Sequence, residues 1–424
     1  MKSITVRNLE IGTGLPKIIV PIMEKNEAAV MAATDAIARS CADAVELRVD
    51  ALENPTDMTE VMAVIRACRD SLPMMPLLVT MRTSKEGGLA ELSDEQYHHF
   101  LKETAASGLA DLLDIEGARA GAVMADIEKT GVKVVMSYHD FEKTPVKEEI
   151  LAIMHRLEAQ GAAIVKTAFM ANSYGEAEAL LAASKAARTA LNVPFIAIAM
   201  GERGMISRTS GEVYGSAMTF GALGKCSAPG QLEVTRLRRI LSGIHRIRQA
   251  ENVLYLIGFM GTGKSAVARQ LGRMTGQIVY EADDMIEKAA GCTIKTIFEN
   301  EGEEGFRARE THLMKALARE KGGIVSCGGG VVTREENINL MRYSGCVILL
   351  TAKPETICRR LSREIDKRPV LQGSGSVERV EALLEGRRAA YEAAAHRIIE
   401  TDEKNTYEVA EEIILTVENL DEVL

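Results

Sequence analysis

Lys166 stands in the middle of "AAIVKTAFMAN" (162–172), an apolar run of the kind that fills a buried strand. A lysine seldom goes fully buried without a partner or a purpose. Its amine could snorkel to a rim or pair with a carboxylate. Desolvation favours the neutral amine, and that form is a nucleophile able to make a Schiff base with a ketone. His139 in "SYHDF" alone reads equally as an ordinary hydrogen-bonded histidine, but beside such a lysine it supplies the proton shuttle an imine needs. Charged residues also end other apolar runs: Glu46 and Arg48, then Arg82, then Asp114 and Glu116. Arginine forks around such a lysine match a carboxylate bidentately and can hold hydroxyls. A second chemistry is written in "GFMGTGKS" (258–265), which fits G-x-x-x-x-G-K-[ST] between a strand-like and a helix-like segment. Gly258, Gly261 and Gly263 free backbone N–H groups to wrap phosphates, with Thr262 and Ala266 completing the cradle. Lys264 is placed to reach the β/γ-phosphates and Ser265 to ligate Mg²⁺.

These residues need elements to position them. From residue 17 to about 221, short apolar runs alternate with helical periodicity, the βα signature of a parallel sheet. The runs are 17–22, 44–50, 76–82, 112–117, 133–140, 163–169, 195–200 and 217–221. Eight units of this size predict a (β/α)₈ TIM barrel, whose C-terminal strand ends gather the active site. "SITVRNLEIGTG" before them reads as a hairpin plugging the barrel floor. An amphipathic helix over 231–248 leads almost directly into a new strand, the first of five candidates (252–259, 278–283, 324–329, 346–352, 396–401) that predict a three-layer α/β domain.

A chain of 424 residues, 46% hydrophobic, has room for two or three domains with cores of their own. Its net charge of −9 argues against nucleic acid or an acidic membrane surface as the main partner. The seven cysteines are scattered, without a CxxC, and read as reduced thiols. The N-terminus lacks a secretory apolar core and no run reaches membrane-spanning length, so the expected location is the cytoplasm.

The motifs "VELRVD", "MRTSKEGG", "SYHDF", "IVKTAF", "AMGERGMISR" and "SAPGQ", in this order, resemble the type I 3-dehydroquinate dehydratases over residues 1–248. The resemblance implies that Lys166 forms an imine with the C3 ketone of 3-dehydroquinate. His139 would move the C2 proton to the departing C1 hydroxyl, with Glu86 holding the histidine. Arg208, Ser227 and Gln231 would bind the substrate carboxylate, and Glu46, Arg48 and Arg82 the ring hydroxyls; no metal or organic cofactor is implied. "YEADDMIE", "GEEGFRARE", "CGGGVV", "KRPVL" and "EGRRAAYE" after the phosphate loop resemble shikimate kinase, which implies an ATP- and Mg²⁺-dependent P-loop domain over 252–424. There Asp283 would position the acceptor hydroxyl, Arg307, Arg387, Gly328, Gly329 and Gly330 would bind the carboxylate, and Arg368 would close over the phosphates from a lid. Glu281 takes the place of an aspartate expected near the metal, and the lid is short, leaving Arg363 for adenine stacking. A Schiff-base aldolase shares the lysine, and a regulatory P-loop protein with a dead barrel shares the nucleotide site. The "SAPGQ" loop with Arg208 weighs against the first and the intact Lys166 and His139 against the second. The partners implied are the two small-molecule substrates, a second copy of the chain through the barrel (a homodimer), and a shikimate dehydrogenase acting between the two steps. Nucleic acid and membranes are not among them.

Overall fold

In the structure, a computed structural model describing residues 2–224, 226–361 and 377–418, the chain divides into two compact units, Met1–Leu241 and Ser242–Leu424. The first opens with a hairpin of β1 (Ile4–Val6) and β2 (Leu9–Ile11), whose tight turn holds Arg7 in the left-handed region at φ 54°. Eight parallel strands follow: β3 (Lys17–Ile22), β4 (Ala44–Arg48), β5 (Leu77–Thr80), β6 (Leu112–Glu116), β7 (Lys133–Asp140), β8 (Ile164–Met170), β9 (Phe195–Met200) and β10 (Met218–Ala222). Each pairs with the next up to β9, and β10 pairs with β3, so the sheet curls into the expected barrel. The last seam is thin. β9 and β10 meet at one bridge between Phe195 and Ser216, where Ala217 N–H donates to the Phe195 carbonyl at 2.8 Å. A ninth strand, β11 (Leu232–Glu233), pairs with β10 and is too short to show a period in the sequence. Connecting helices begin at residues that accept their free N–H groups, among them Asn26, Asp57, Ser93 and Ser173.

Strand alternation sorts the barrel interior into rows. Ala44, Leu78, Leu112, Val135, Ile164, Ile196 and Met218 form an apolar floor, against which Val6 and Ile11 of the hairpin pack as a plug. The hairpin is fastened by Arg7 Nε on Asp111 Oδ1 at 2.7 Å. Two residues farther along the same strands stand Glu46, Thr80, Asp114, Ser137, Lys166, Ile198 and Phe220, so one side of the barrel turns polar and buried at that level. The apolar floor excludes water from below, and this polar arc is where chemistry can occur.

The second unit has five parallel strands, β12 (Val253–Ile257), β13 (Val279–Glu281), β14 (Ile324–Ser326), β15 (Gly345–Thr351) and β16 (Arg397–Glu400), in the order β13-β14-β12-β15-β16. Strand order reverses at the central β12, the switch point where a doubly wound sheet opens a crevice at its carboxyl ends. The unit boundary falls within helix Val234–Gln249, whose Leu237, Ile240, Leu241, Ile244 and Ile247 are all buried. Among the described residues no helix is long and apolar enough to cross a membrane.

Candidate active sites

Every barrel residue expected at the site lines one pocket of about 540 Å³, open mouth included: Glu46, Arg48, Arg82, Glu86, His139, Lys166, Arg208, Ser227 and Gln231. Lys166 is not alone in its apolar strand. Its Nζ lies 3.4 Å from Asp114 Oδ2 and 3.6 Å from Glu46 Oε1, and 4.6 Å from the centroid of the Phe220 ring. The apolar run in the sequence hides these carboxylates because they come from β4 and β6, strands that do not border β8 and meet Lys166 only inside the barrel.

Arg82 sits two residues beyond the end of β5 rather than on it, and turns back into the barrel. Its Nη2 donates to Asp114 Oδ1 at 2.6 Å, and its Nη1 reaches Ser137 Oγ at 2.9 Å and Glu86 Oε2 at 3.3 Å. Burial alone would lower the Arg82 pKa, but the carboxylates of Asp114, Glu86 and Glu116 outweigh it and hold the guanidinium charged. Two buried carboxylates fasten the segment that carries Arg82 and Glu86. Glu116 accepts from Thr83 N–H and Oγ, and Asp50 accepts from the N–H groups of Arg82 and Leu89 while gripping Arg48 bidentately at 2.8 and 2.7 Å.

Glu86 Oε2 is 2.8 Å from His139 Nδ1 and accepts the His139 backbone N–H at 3.1 Å, so both the ring and its backbone are tied to one carboxylate oxygen. Burial pushes the Glu86 carboxyl up to about 8 against the pull of Arg82. Burial, with the positive charges of Arg82, Lys166 and Arg48, holds the His139 imidazole well below its ordinary value, which favours the neutral base. On the opposite wall Arg208 is buried and has no carboxylate partner among the described residues. Its Nη2 donates to the Pro229 carbonyl at 2.9 Å, and its Nε makes no hydrogen bond. Burial lowers its pKa to about 10. Ser227 and Gln231 stand beside it, bonded to each other through Gln231 Nε2 and Ser227 Oγ at 2.8 Å. A buried guanidinium with spare donors is built to receive an anion.

In the second unit, β12 runs into the phosphate loop and then helix Lys264–Thr275. Gly261, Gly263, Lys264, Ser265 and Ala266 line a pocket of about 1050 Å³, mouth included, with Glu281, Asp283 and Gly329 across it. Gly258 and Thr262 support the loop instead of facing the pocket. At Gly258 φ is 141° and a Cβ would come within 2.3 Å of the Leu350 carbonyl, while the buried Thr262 hydroxyl donates to Phe259 O at 2.8 Å. Lys264 Nζ donates to the carbonyls of Gly258 and Phe259 at 2.8 and 3.0 Å. Ser265 Oγ lies 3.1 Å from Ser326 Oγ, and Glu281 pairs with Arg269 at 2.8 Å.

Asp283 is in the first turn of helix Ala282–Ala290, close against the Gly328–Gly330 turn: a Cβ on Gly328 would meet Asp283 Oδ1 at 2.9 Å. Arg307 packs on Gly330 and is held by Glu310 at 2.7 Å, and Gly329 O accepts from Arg387 Nη1 at 3.3 Å and from the Tyr391 hydroxyl. Burial raises the Glu310 carboxyl against the pull of Arg307. Arg363 and Arg368 lie outside the described residues. The supporting residues not picked out in the sequence are Asp50, Ser137, Glu310, Tyr391 and Ser326. A signal existed for two: Glu310 follows Arg307 by three residues and Tyr391 follows Arg387 by four, both helical neighbours.

Among the described residues no three metal-ligating side chains of the His, Cys, Asp and Glu types converge. The oxygen donors at the phosphate loop, Ser265 with Glu281 and Asp283 across the same pocket, nevertheless suit Mg²⁺, which takes one or two protein ligands and completes its shell with phosphates and water.

Residues 18–248 match the family of type I 3-dehydroquinase and residues 260–418 that of shikimate kinase. A 3-dehydroquinate dehydratase of Listeria monocytogenes serotype 4b (strain CLIP80459) is 43% identical over 250 residues, covering 58% of this chain and 99% of that protein. The crystal structure of a type I 3-dehydroquinate dehydratase from Clostridium difficile with covalent modified comenic acid has 37% identity and a TM-score of 0.56, covering 58% of this chain and 98% of that one. A shikimate kinase from Acinetobacter baumannii in complex with shikimate has 33% identity and a TM-score of 0.39, covering 41% and 96%.

Proposed function

Since the chain belongs to the type I 3-dehydroquinase family and continues into a shikimate kinase domain, we propose that its barrel dehydrates 3-dehydroquinate through an imine on Lys166 and its P-loop unit phosphorylates shikimate with ATP and Mg²⁺. It is a bifunctional enzyme of the shikimate pathway, 3-dehydroquinate dehydratase and shikimate kinase in one polypeptide. The dehydratase mechanism rests on the convergence of Lys166, His139 and the carboxylate-free Arg208 on one pocket.

Arg208, with Ser227 and Gln231, takes the substrate carboxylate, and Arg48, Arg82 and Glu46 take hydroxyls, which brings the C3 ketone to Lys166. The amine condenses with the ketone and one water leaves. The iminium withdraws electrons from C2, so neutral His139 can remove the C2 proton and form an enamine. His139 then gives that proton to the C1 hydroxyl, which departs as water while the enamine electrons form the C1–C2 double bond. Hydrolysis of the remaining iminium consumes one water, restores the C3 ketone and frees Lys166, for a net loss of one water.

In the P-loop unit, Asp283 orients the acceptor hydroxyl, Arg307, Arg387 and the Gly328–Gly330 turn hold the carboxylate, and Lys264 engages the phosphates by leaving its loop carbonyls. Ser265 and Glu281 would hold Mg²⁺, which would supply charge neutralisation at the transferred phosphoryl group.

Borohydride added during turnover of 3-dehydroquinate tests the barrel chemistry. A stable adduct on Lys166 by peptide mass mapping is expected, with Lys166→Ala abolishing the ultraviolet signal of the enone product while ATP-dependent phosphorylation of shikimate persists. An adduct elsewhere, or none, would overturn the assignment.

A further inference from the structure

Asp114 has no part in the chemistry so far, yet it is 1% exposed and lies in the same inward row as Lys166. Its two oxygens have separate duties. Oδ1 accepts from Arg82 Nη2 at 2.6 Å and from Ser137 Oγ at 2.7 Å, which locks the carboxylate in place. Oδ2 is 3.4 Å from Lys166 Nζ, its one hydrogen-bond partner among the described residues. Glu46 also approaches Lys166, but more distantly at 3.6 Å and through Oε1, which already accepts from Thr80 Oγ at 2.8 Å.

Condensation changes what the nitrogen can donate. An ammonium and a ketone give an iminium and water: three N–H bonds become one, two hydrogens leave with the carbonyl oxygen, and the positive charge stays on nitrogen. A buried charge needs a counter-charge, and a buried N–H needs an acceptor. Resting on the imine reading above, we propose that Asp114 is the fixed counter-ion of the imine, with the single N–H of the iminium donating to Asp114 Oδ2. The carboxylate that pairs with the free amine then serves the iminium without moving, because Arg82 and Ser137 hold its other oxygen. Its ionised state fits this use: burial would raise the Asp114 pKa, but Arg82 and Lys166 outweigh burial and lower it. When the C2 proton leaves, the nitrogen charge is lost; when the C1 hydroxyl departs, it returns opposite the same carboxylate. Asp114 therefore favours imine formation and expulsion of the hydroxyl.

Three variants and the unaltered full-length chain test this. Asp114→Asn keeps an acceptor for Arg82 and Ser137 and removes the charge, so kcat for dehydration should fall on the order of 100-fold. The fraction of chain trapped on Lys166 by borohydride at saturating 3-dehydroquinate should fall with it. Ser137→Ala and Asp114→Glu keep the charge and should retain that trapped fraction within about threefold, whatever they do to kcat. Trapping unchanged in Asp114→Asn would overturn the proposal. If Asp114→Asn does not fold, as read by circular dichroism, loss of trapping in folded Ser137→Ala would overturn it, since the carboxylate remains there. Absence of an adduct in the unaltered chain would instead defeat the imine reading itself, a separate outcome.

Discussion

The Glu86–His139 pair decides when the barrel has a base. With Glu86 protonated, its O–H can occupy Nδ1, and the imidazole then keeps its hydrogen on Nε2. Once Glu86 ionises it accepts Nδ1–H, and Nε2 becomes free to take a proton. Because Glu86 is raised to about 8 and His139 lowered, the two titrate as one system, and dehydratase kcat/KM should rise with pH along a single limb owned by the pair. Glu86→Gln still accepts Nδ1–H but cannot titrate, so the limb should move to lower pH as kcat falls; an unmoved limb in the pH–rate profile would count against this. In the P-loop unit, Glu281→Asp shortens the side chain that Arg269 holds beside Ser265. It should change the Mg²⁺ concentration for half-maximal kinase rate more than the shikimate KM, with Asp283→Ala doing the reverse. Lys166, His139 and Arg208 are legible in the sequence because a charge in an apolar strand, or in a motif, stands out. Asp114 shows only as one more charged strand end, since its contact with Lys166 crosses from β6 to β8 and depends on barrel register.

At the scale of elements, the turn after β14 is as specific as any side chain. Arg307 fills the space where a Cβ on Gly330 would sit, at 2.1 Å from Nη2. Gly330→Ala must displace the guanidinium, so steady-state kinetics should show the shikimate KM raised about tenfold or more, which is ~1.4 kcal/mol, with the ATP KM changed far less. The eight barrel strands are readable because parallel strands buried on both faces leave near-continuous apolar runs between helical periods. Segment ends are less so. Arg82 looks like the end of a strand but lies two residues past it, where Glu116 and Asp50 hold the chain by its N–H groups. Backbone bonds of that kind leave no mark in residue type.

For the molecule as a whole, the two reactions do not meet. The barrel's product keeps a ketone at C3, whereas the kinase needs a hydroxyl there, and no G-x-G-x-x-G follows a strand in either unit to house a hydride donor. Incubated with 3-dehydroquinate, ATP and Mg²⁺, the protein should give no new phosphate ester by ³¹P NMR until shikimate dehydrogenase and NADPH are added. An ester formed without them would reveal a reductase activity in the chain. Among the described residues β9 and β10 share a single β-bridge, Phe195 with Ser216, and Ala197 N–H there donates to a side chain, Ser216 Oγ, at 3.1 Å. Arg208 follows β9 and Ser227 and Gln231 follow β10, so a carboxylate held by all three would span this joint from above. The substrate would then act as a clasp on an otherwise weakly stitched cylinder. Amide hydrogen exchange at Ala197 and Ala217 should be faster than in neighbouring strands of the free protein and should slow when product is bound, whereas amides between β4 and β5 should not respond.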